Sequence, residues 1–564
     1  MASQKIPSPL ASWYPSPLRS WYRAPTRVVW QSDAGVTHAS ELLRSGPAQA
    51  TLEPPFPPCT LTRAAERAGG LLLDFGTELQ GFVELITPIS QDKRPGKVRV
   101  RFGESASEAM AELGDPGNAG NDHAMRDQVV ELPWLGSKTI GPSGFRFVRL
   151  DAVEPGPPVV LSHVRAVLVA RDLEYVGSFR CDDERLNAIW RTGAYTVQLT
   201  MQDCLWDGIK RDRLVWLGDM HPEVSTINAA FGACPVVPRS LDLIRDVTPG
   251  TRWMNGISSY SMWWVLIQED WWMHHGDRAY LEDQRGYLRE LLRRLSGFVG
   301  KDGSETLDGH RFLDWPTSGD PRAVHEGLQA MMVLTMDAGA RLSRALGEEE
   351  TATLCSETAG RLRRHQPEPG GRKSPAALAA LAGLGEAREV SDGVLKPGGP
   401  RDLSTFYGFY VLQALAKAGD IDTALSFVST YWGGMLDLGA TTFWEDFDLA
   451  WSRNAARIDD LVPSGKRDIH GECGDYCYKG FRHSLCHGWA SGPTAWLSQH
   501  VLGIRPQEPG FSSTLVRPQL GRLRWAEGSY PTPLGPIRVR HEKAPDGSTR
   551  SEIAAPPGVR ITQK

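Results

Sequence analysis

After Cys181 the apolar residues of this chain stop alternating and begin to recur every three to four positions, and they keep doing so for roughly 330 residues. Asp182 and Asp183 supply an acidic first turn, and Leu186, Ile189, Trp190 and Val197 mark the first apolar stripe. Further helical segments follow in SMWWVLIQEDWWMHH, in Leu288, Leu291, Leu292 and Leu295, and in GLQAMMVLTMDAGARLSRAL. Beyond the Pro/Gly-rich break at 366–372 the texture resumes in PAALAALAGLG, FYGFYVLQALAKAG, DTALSFVSTYW and GPTAWLSQHVLG. About ten to twelve helices with no repeat of fixed length argue against a solenoid and for a closed ring of helical hairpins, an α/α toroid over 176–505.

The flanks read differently. In residues 61–175, LLLDFG, GFVELI, KVRVRFGE, FRFVRL and VVLSHVRAVLVA are short strand-like runs, and Val98, Val100 and Phe102 alternate with Lys97, Arg99 and Arg101. This predicts an N-terminal β-sandwich. Residues 1–60, rich in Pro, Ser and Trp, are expected to form an irregular lead-in. In 506–564, Ile537 and Val539 alternate with Arg538 and Arg540, which predicts a small C-terminal β domain.

Composition narrows the function. A net charge of -5 and a pI near 6.3, without a basic run, speak against nucleic acid. No window approaches the ~20 apolar residues that span a bilayer. The N-terminus is too broken by Pro and charge for a secretory signal, and eight thinly spread Cys fit reduced thiols, so a cytoplasmic setting is expected. No phosphate loop and no GxSxG elbow occur, and no cofactor is called for. The 19 Trp fit either a large aromatic core or stacking on sugars.

Four stretches carry candidate chemistry. Asp207 to Asp219, DGIKRDRLVWLGD, holds three carboxylates, Lys210, Arg211, Arg213 and one aromatic, Trp216. If helical, Asp212, Trp216 and Asp219 share a face, and carboxylates beside a flat apolar surface suit a sugar site. A salt-bridged, solvated helix is the plain alternative, against which Gly208 and Gly218 count. In GATTFWEDFD, Glu445 follows Phe443 and Trp444 and would complete an acid/base pair, unless it is merely a capping or ion-paired Glu. FLDWPT sets Asp314 beside Trp315, which also reads as turn chemistry. Finally, His470, Cys473, Cys477, His483, Cys486 and His487 fall within eighteen residues, but their spacing is poor for zinc, so no metal is assigned and His487 is read as facing a polar pocket.

These residues carry a resemblance. DGIKRDRLVWLGD resembles the D-C-P-x-R-E-R-x-G-W-x-G-D signature of the bacterial α-L-rhamnosidases of glycoside hydrolase family 78, with Asp207, Arg211, Arg213, Trp216, Gly218 and Asp219 coinciding without a gap. GATTFWEDFD is similar to that family's G-A-T-T-x-W-E-x-W, SLCHGWASG to its S-x-N-H segment and FLDWPT to its G-D-W segment. LLLDFGTELQGFVEL and RFGE look like its N-terminal sandwich, and GSYPTPLGPIRVR like its C-terminal β domain. The resemblance implies an (α/α)6 toroid between β domains that removes terminal α-L-rhamnose with inversion. It further implies Asp212 as general acid and Glu445 as general base. Asp207, Arg211 and Asp219 would bind ring hydroxyls, Trp216 would pack the apolar face, and His487, Asp314, Trp315 and Trp444 would line the pocket. The family's acid is usually Glu; Asp212 is one methylene shorter, so either the backbone moves in or Asp207 takes the donor role.

Physically, Asp207 and Asp219 held as anions would keep Asp212 protonated, while Arg211 and Arg213 oppose that shift. The expected partner is a small rhamnoside or oligosaccharide, with a homodimer left open. Two other readings stand beside this one: a related toroid glycosidase for another sugar, and a sugar-binding homologue without turnover. Aglycone contacts are expected from loops near Trp253, Trp263 and Trp271.

Overall fold

The computed structural model describes residues 16–563, apart from 65–66, 90–92, 115–116, 118 and 122–124. Part of the expected lead-in, residues 1–15, lies outside the described residues.

Among the described residues six helices form an inner ring: Met220–Ala230, Ser258–His275, Pro321–Ala345, Lys373–Ala382, Gly408–Ala418 and Gly492–Trp496, the last continued by a π-helical turn, Leu497–Val501. Each packs on the next and the sixth packs back on the first, so the ring closes. Glu184–Thr200, ahead of the first in sequence, and Val236–Val247, Arg278–Ser296, Glu349–Leu362, Ala387–Val390 and Ile421–Phe427, between successive ones, complete six hairpins. The apolar pattern sorts the rings. Arg278–Ser296 buries one stripe, Leu281, Gln284, Leu288, Leu291, Leu292 and Leu295, as an outer helix must. Ser258–His275 is buried on nearly every side, with Trp263, Trp264, Val265 and Ile267 all inside. Asp183 caps the first helix, its carboxylate accepting from the N–H groups of Arg185 and Leu186. The multidomain α+β architecture read from the sequence is thus present, with the α/α toroid at its centre.

Ahead of the toroid lies an antiparallel seven-stranded sheet in the order Leu18–Arg23, His163–Arg171, Gly70–Thr87, Gly136–Ala152, Gly96–Gly103 and Asp127–Leu132, with Arg27–Gln31 also paired to Gly70–Thr87. A second sheet of Val159–Leu161, Cys59–Leu61 and Val36–Thr37 shares its core. Val98, Val100 and Phe102 point into that core and are fully buried. The expectation of an irregular stretch up to residue 60 is corrected: Leu18–Arg23 and Arg27–Gln31 belong to the large sheet. Leu18–Arg23 is exposed along almost its whole length, so it leaves no period-two signature in the sequence.

The C-terminal residues form a four-stranded sheet, Ser178–Cys181, Trp525–Tyr530, Ile537–Lys543 and Thr549–Ala554, and a three-stranded one, Ile504–Pro506, Ser513–Val516 and Arg560–Gln563. Ser178–Cys181 precedes the toroid in sequence yet pairs with Trp525–Tyr530 behind it. The chain therefore crosses into the C-terminal sheet before its first ring helix.

The N-terminal β domain clasps the toroid through ions and backbone. Asp74, buried, receives Arg146 at 2.8 and 2.9 Å and Arg27 at 3.0 Å. Arg146 then donates to the carbonyl of Gly439 at 3.0 Å, and Arg27 to that of Asp459. Removing the shared anion leaves the buried Arg146 with only the more distant Asp459 carboxylate, at 3.5 Å. Asp74→Ala should therefore lower unfolding stability by about 3 kcal/mol in urea titration; a change under about 0.5 kcal/mol would mean the clasp is energetically idle.

Candidate active site

Three motifs far apart in sequence meet by short backbone pairings. Gly208 bridges His487, and the Gly488 N–H donates to the Asp207 carbonyl at 2.8 Å. On the other side the His487 N–H donates to the Phe443 carbonyl at 2.9 Å, and the Glu445 N–H to that of Ser484 at 3.0 Å. Residues 207–208, 484–488 and 443–445 thus lie side by side. Their side chains reach one cavity.

The first motif is not a helix. Asp207 closes it as a loop, its Oδ1 accepting from the Leu214 N–H at 2.9 Å and its own N–H donating to the Leu214 carbonyl at 3.0 Å. Asp212 and Arg213 both take left-handed backbone angles, φ 53° and 56°, which exclude helix through the tip. The shared face expected of Asp212, Trp216 and Asp219 is replaced by a turn that carries them to a common cavity. Asn255 clamps the return, accepting from Leu217 N at 3.0 Å and donating to the Val215 carbonyl at 3.1 Å. Gly218 follows because any Cβ there would stand 2.2 Å from the Tyr260 ring. Asp219 then leads into Met220–Ala230.

The cavity encloses about 420 Å³. Of the predicted residues, Asp207, Arg211, Asp212, Trp216, Asp219, Trp315, Glu445 and His487 line it. Arg211 spans two carboxylates: Nη1 is 3.3 Å from Asp212 Oδ1 and Nη2 is 2.6 Å from Glu445 Oε1. Glu445 Oε2 accepts from the Ser484 N–H at 3.1 Å. His487 Nε2 faces Glu445 at 3.4 Å and Asp207 and Asp219 at 3.8 Å each. Burial, with Arg211 nearby, holds His487 well below its usual range, so the ring is neutral. Tyr260 donates its hydroxyl to Asp219 Oδ1 at 3.1 Å.

Asp207 and Asp219 behave contrary to expectation. Burial and neighbouring carboxyls push Asp207 well above the carboxylate range; burial does the same to Asp219 against the bond from Tyr260. Both shifts oppose the anionic forms that the sequence reading assumed. Lost hydration outweighs the few donors each receives.

Two predicted residues do not reach the cavity. Asp314 is buried behind Trp315, where it accepts from Thr317 N at 3.2 Å and the hydroxyls of Ser374 at 2.6 Å and Ser404 at 3.2 Å. It is the turn anchor that its position before Trp-Pro also allowed. Trp444 is buried edge-on against Phe447 and His483. Nor do Trp253, Trp263 and Trp271 line the cavity; Trp263, for one, stacks on His221 and Tyr410 within the ring.

The Cys/His run disperses. Cys486 packs with Leu199 and Ile209, His483 Nε2 accepts from Asp446 N at 2.9 Å, and Cys477 stands in the cavity wall. Among the described residues one trio, Glu104, Glu108 and His470, has metal-ligand spacing, and the Lys210 ammonium already occupies it, 2.7 Å from Glu108 and 3.5 Å from Glu104.

The sequence reading missed Asn255, Tyr260, Phe312, Tyr478, Arg482 and Trp489 in the lining. Tyr478 and Arg482 lie inside the Cys/His run, Phe312 in FLDWPT and Trp489 in SLCHGWASG, so position in a motif was the signal available for these four; for Tyr478 the contacts are specific. Arg211 sits 4.9 Å over its ring, and its hydroxyl accepts from Trp315 Nε1 at 2.7 Å.

Residues 174–366 match the bacterial alpha-L-rhamnosidase 6 hairpin glycosidase domain, and 503–562 match the bacterial alpha-L-rhamnosidase C-terminal domain. The ring is thus a six-hairpin glycosidase domain. An alpha-L-rhamnosidase of Alteromonas sp. (strain LOR) is 22% identical over 525 residues, covering 85% of this chain and 54% of that one. One from Formosa agariphila is 22% identical over 540 residues, covering 83% and 52%. The crystal structure of a family 78 rhamnosidase of Bacillus sp. GL1 superposes with a TM-score of 0.74 at 22% identity, covering 90% of this chain and 54% of that one. In two matched domains and in fold the chain is thus similar to bacterial α-L-rhamnosidases, the family its motifs resemble. It spans about half the length of these relatives.

The raised Asp219 carboxyl links stability to pH. The folded state holds a proton that the unfolded chain releases above its ordinary value of 3.8, so this contribution is complete below that value and is lost as pH rises through the folded value. Asp219→Asn should gain Tm relative to the parent chain as pH is raised from 4 to 8. A Tm difference that stays constant with pH would contradict the shift.

Proposed function

We propose that this chain hydrolyses terminal α-L-rhamnosides with inversion, Asp212 acting as general acid and Glu445 as general base. One observation carries the reading: two carboxyls of unlike surroundings face one cavity and are spanned by a single guanidinium. The span limits their separation to no more than ~8 Å, compatible with the ~6.5–9.5 Å that leaves room for a water between sugar and base.

Their surroundings fit different duties. Glu445, 3% exposed, accepts from Arg211 and from a backbone N–H, which suits an ionised carboxylate that orders and deprotonates water. Asp212, 22% exposed, is the more open of the two, as a group protonating a departing oxygen needs to be. Asp207 is 4% exposed and tied to Leu214, which favours Asp212 over it as donor.

A neutral deoxy sugar fits the charges. The three cations of the first motif are engaged elsewhere than a uronide would need: Arg211 with two carboxyls, Lys210 with Glu108, and Arg213 with the Ile209 carbonyl. The Asp207 and Asp219 carboxyls, beside Tyr260 and His487, offer hydrogen bonds to hydroxyls. Trp216, edge-to-face with Tyr260 at 6.2 Å, offers apolar surface to the ring and its methyl group. Small glycosides are the proposed substrates. No helix among the described residues is long and apolar enough to cross a membrane, and all eight cysteines are unpaired, which supports work in a reducing compartment such as the cytoplasm.

The test is turnover of p-nitrophenyl α-L-rhamnoside with the product anomer followed by NMR. The parent chain should release β-rhamnose first, and Glu445→Gln should lose about 10²–10⁴-fold in kcat while still binding rhamnose. Initial release of the α anomer would exclude inversion, and undiminished Glu445→Gln would remove the base. Asp212→Asn should lose more activity on an alkyl than on the aryl rhamnoside, because a poor leaving group depends more on protonation. If Asp207→Asn has that signature instead, the donor is Asp207.

A further inference from the structure

The turn after strand Gly96–Gly103 of the β domain reaches the proposed base. Glu104 is fully buried. Its Oε2 accepts from the Leu485 N–H at 2.6 Å and its Oε1 from the Ser484 hydroxyl at 3.3 Å. The same Ser484 turns its N–H to Glu445 Oε2 at 3.1 Å and takes the Glu445 N–H on its carbonyl at 3.0 Å. One dipeptide is therefore gripped by Glu104 on one side and grips Glu445 on the other. We propose that Glu104 is a positioning residue for Glu445, holding the Ser484–Leu485 backbone that aims the carboxylate, so that the N-terminal β domain is a working part of the site. The inference rests on reading Glu445 as the base.

The support around Glu104 is built rather than incidental. Its N–H donates to Glu108 Oε2 at 2.8 Å, and Ser105 caps the short helix Ala106–Met110 that presents Glu108. Glu108 pairs with Lys210 at 2.7 Å, and Lys210 donates to the His483 carbonyl at 3.0 Å. The next residue in the chain is Arg211, which spans Asp212 and Glu445. One turn of the β domain thus fixes the segment beneath the base and the loop that carries the acid.

A carboxyl is costly in this position. Burial pushes Glu104 up to about 8, while Lys210, the Leu485 N–H and the Ser484 hydroxyl pull the other way. An apolar side chain would fill the space without that penalty, but it would leave the Leu485 N–H unpaired and Ser484 without one of its partners. Neither Ser484 nor Leu485 lines the cavity, so what Glu104 holds bears on chemistry only through Glu445.

The test compares Glu104→Ala, Glu104→Gln and Ser484→Ala in the full chain. The readouts are kcat and KM on p-nitrophenyl α-L-rhamnoside, Tm, and amide exchange at Leu485. Glu104→Ala should lose at least about tenfold in kcat with KM within about threefold, since a small misplacement of a catalytic group costs that much or more. Its Leu485 amide should exchange faster. Glu104→Gln, whose amide oxygen still accepts from Leu485, should recover most of the loss. A kcat within about twofold of the parent chain, a loss confined to KM, or equal losses in both Glu104 variants tracking a fall in Tm would overturn the proposal. Should Glu104→Ala fail to fold, Ser484→Ala decides: the expected result is a severalfold loss in kcat at unchanged Tm, and no loss overturns it. A parent chain without turnover would overturn the hydrolase reading, while the Leu485 exchange would still report on the grip.

Discussion

The pocket depends on one buried cation. Arg211 donates to the Arg482 carbonyl at 2.9 Å and spans Asp212 and Glu445 while lying over the Tyr478 ring. A guanidinium can do this because its donors leave in fixed, coplanar directions; an ammonium could meet the charges but not the geometry. Burying the cation is tolerable because the Glu445 carboxylate lies against it and raises its pKa against the cost of burial. Acid loop, base segment and aromatic wall are therefore coupled through a single side chain.

Around that centre the carboxyls divide into kinds. Asp207 and Asp219 sit where hydration is lost and compensation is thin, which disfavours their anions. Glu445 sits where a guanidinium and a backbone N–H converge. Acidic residues that look alike in sequence thus meet unlike surroundings. Glu445 receives Arg211 and the Ser484 N–H, whereas Asp207 receives the Leu214 N–H and Asp219 the Tyr260 hydroxyl.

This explains what could be read in the chain beforehand. The helical period after Cys181 was legible because an inner helix such as Ser258–His275 must be apolar nearly all round, and an outer one such as Arg278–Ser296 on one stripe. Glu445 and the Asp207–Asp219 cluster were legible because carboxylates beside aromatics are chemically unusual. Tyr260 was not: its residue type fills cores everywhere, and only the ring's closure turns it inward. The helical face expected of Asp212 failed at two left-handed residues, for which Asp and Arg give no strong sign. Asp314 and Trp444 carry motif-like neighbours yet serve packing, a distinction of about one side chain's depth. Glu104 gave no sign of its role because its partners lie some 380 residues further along the chain.

The strand Ser178–Cys181 has a consequence for the order of assembly. It is made before any ring helix, but its partner Trp525–Tyr530 follows more than 340 residues later. At about 5–20 residues per second of synthesis that interval is roughly half a minute. Throughout it the strand leaves the ribosome with an open hydrogen-bonding edge. The hinge between the β domain and the ring is therefore among the last places to be locked, and a ring closed from 184 onward would still wait for the final sheet to fasten its entry strand.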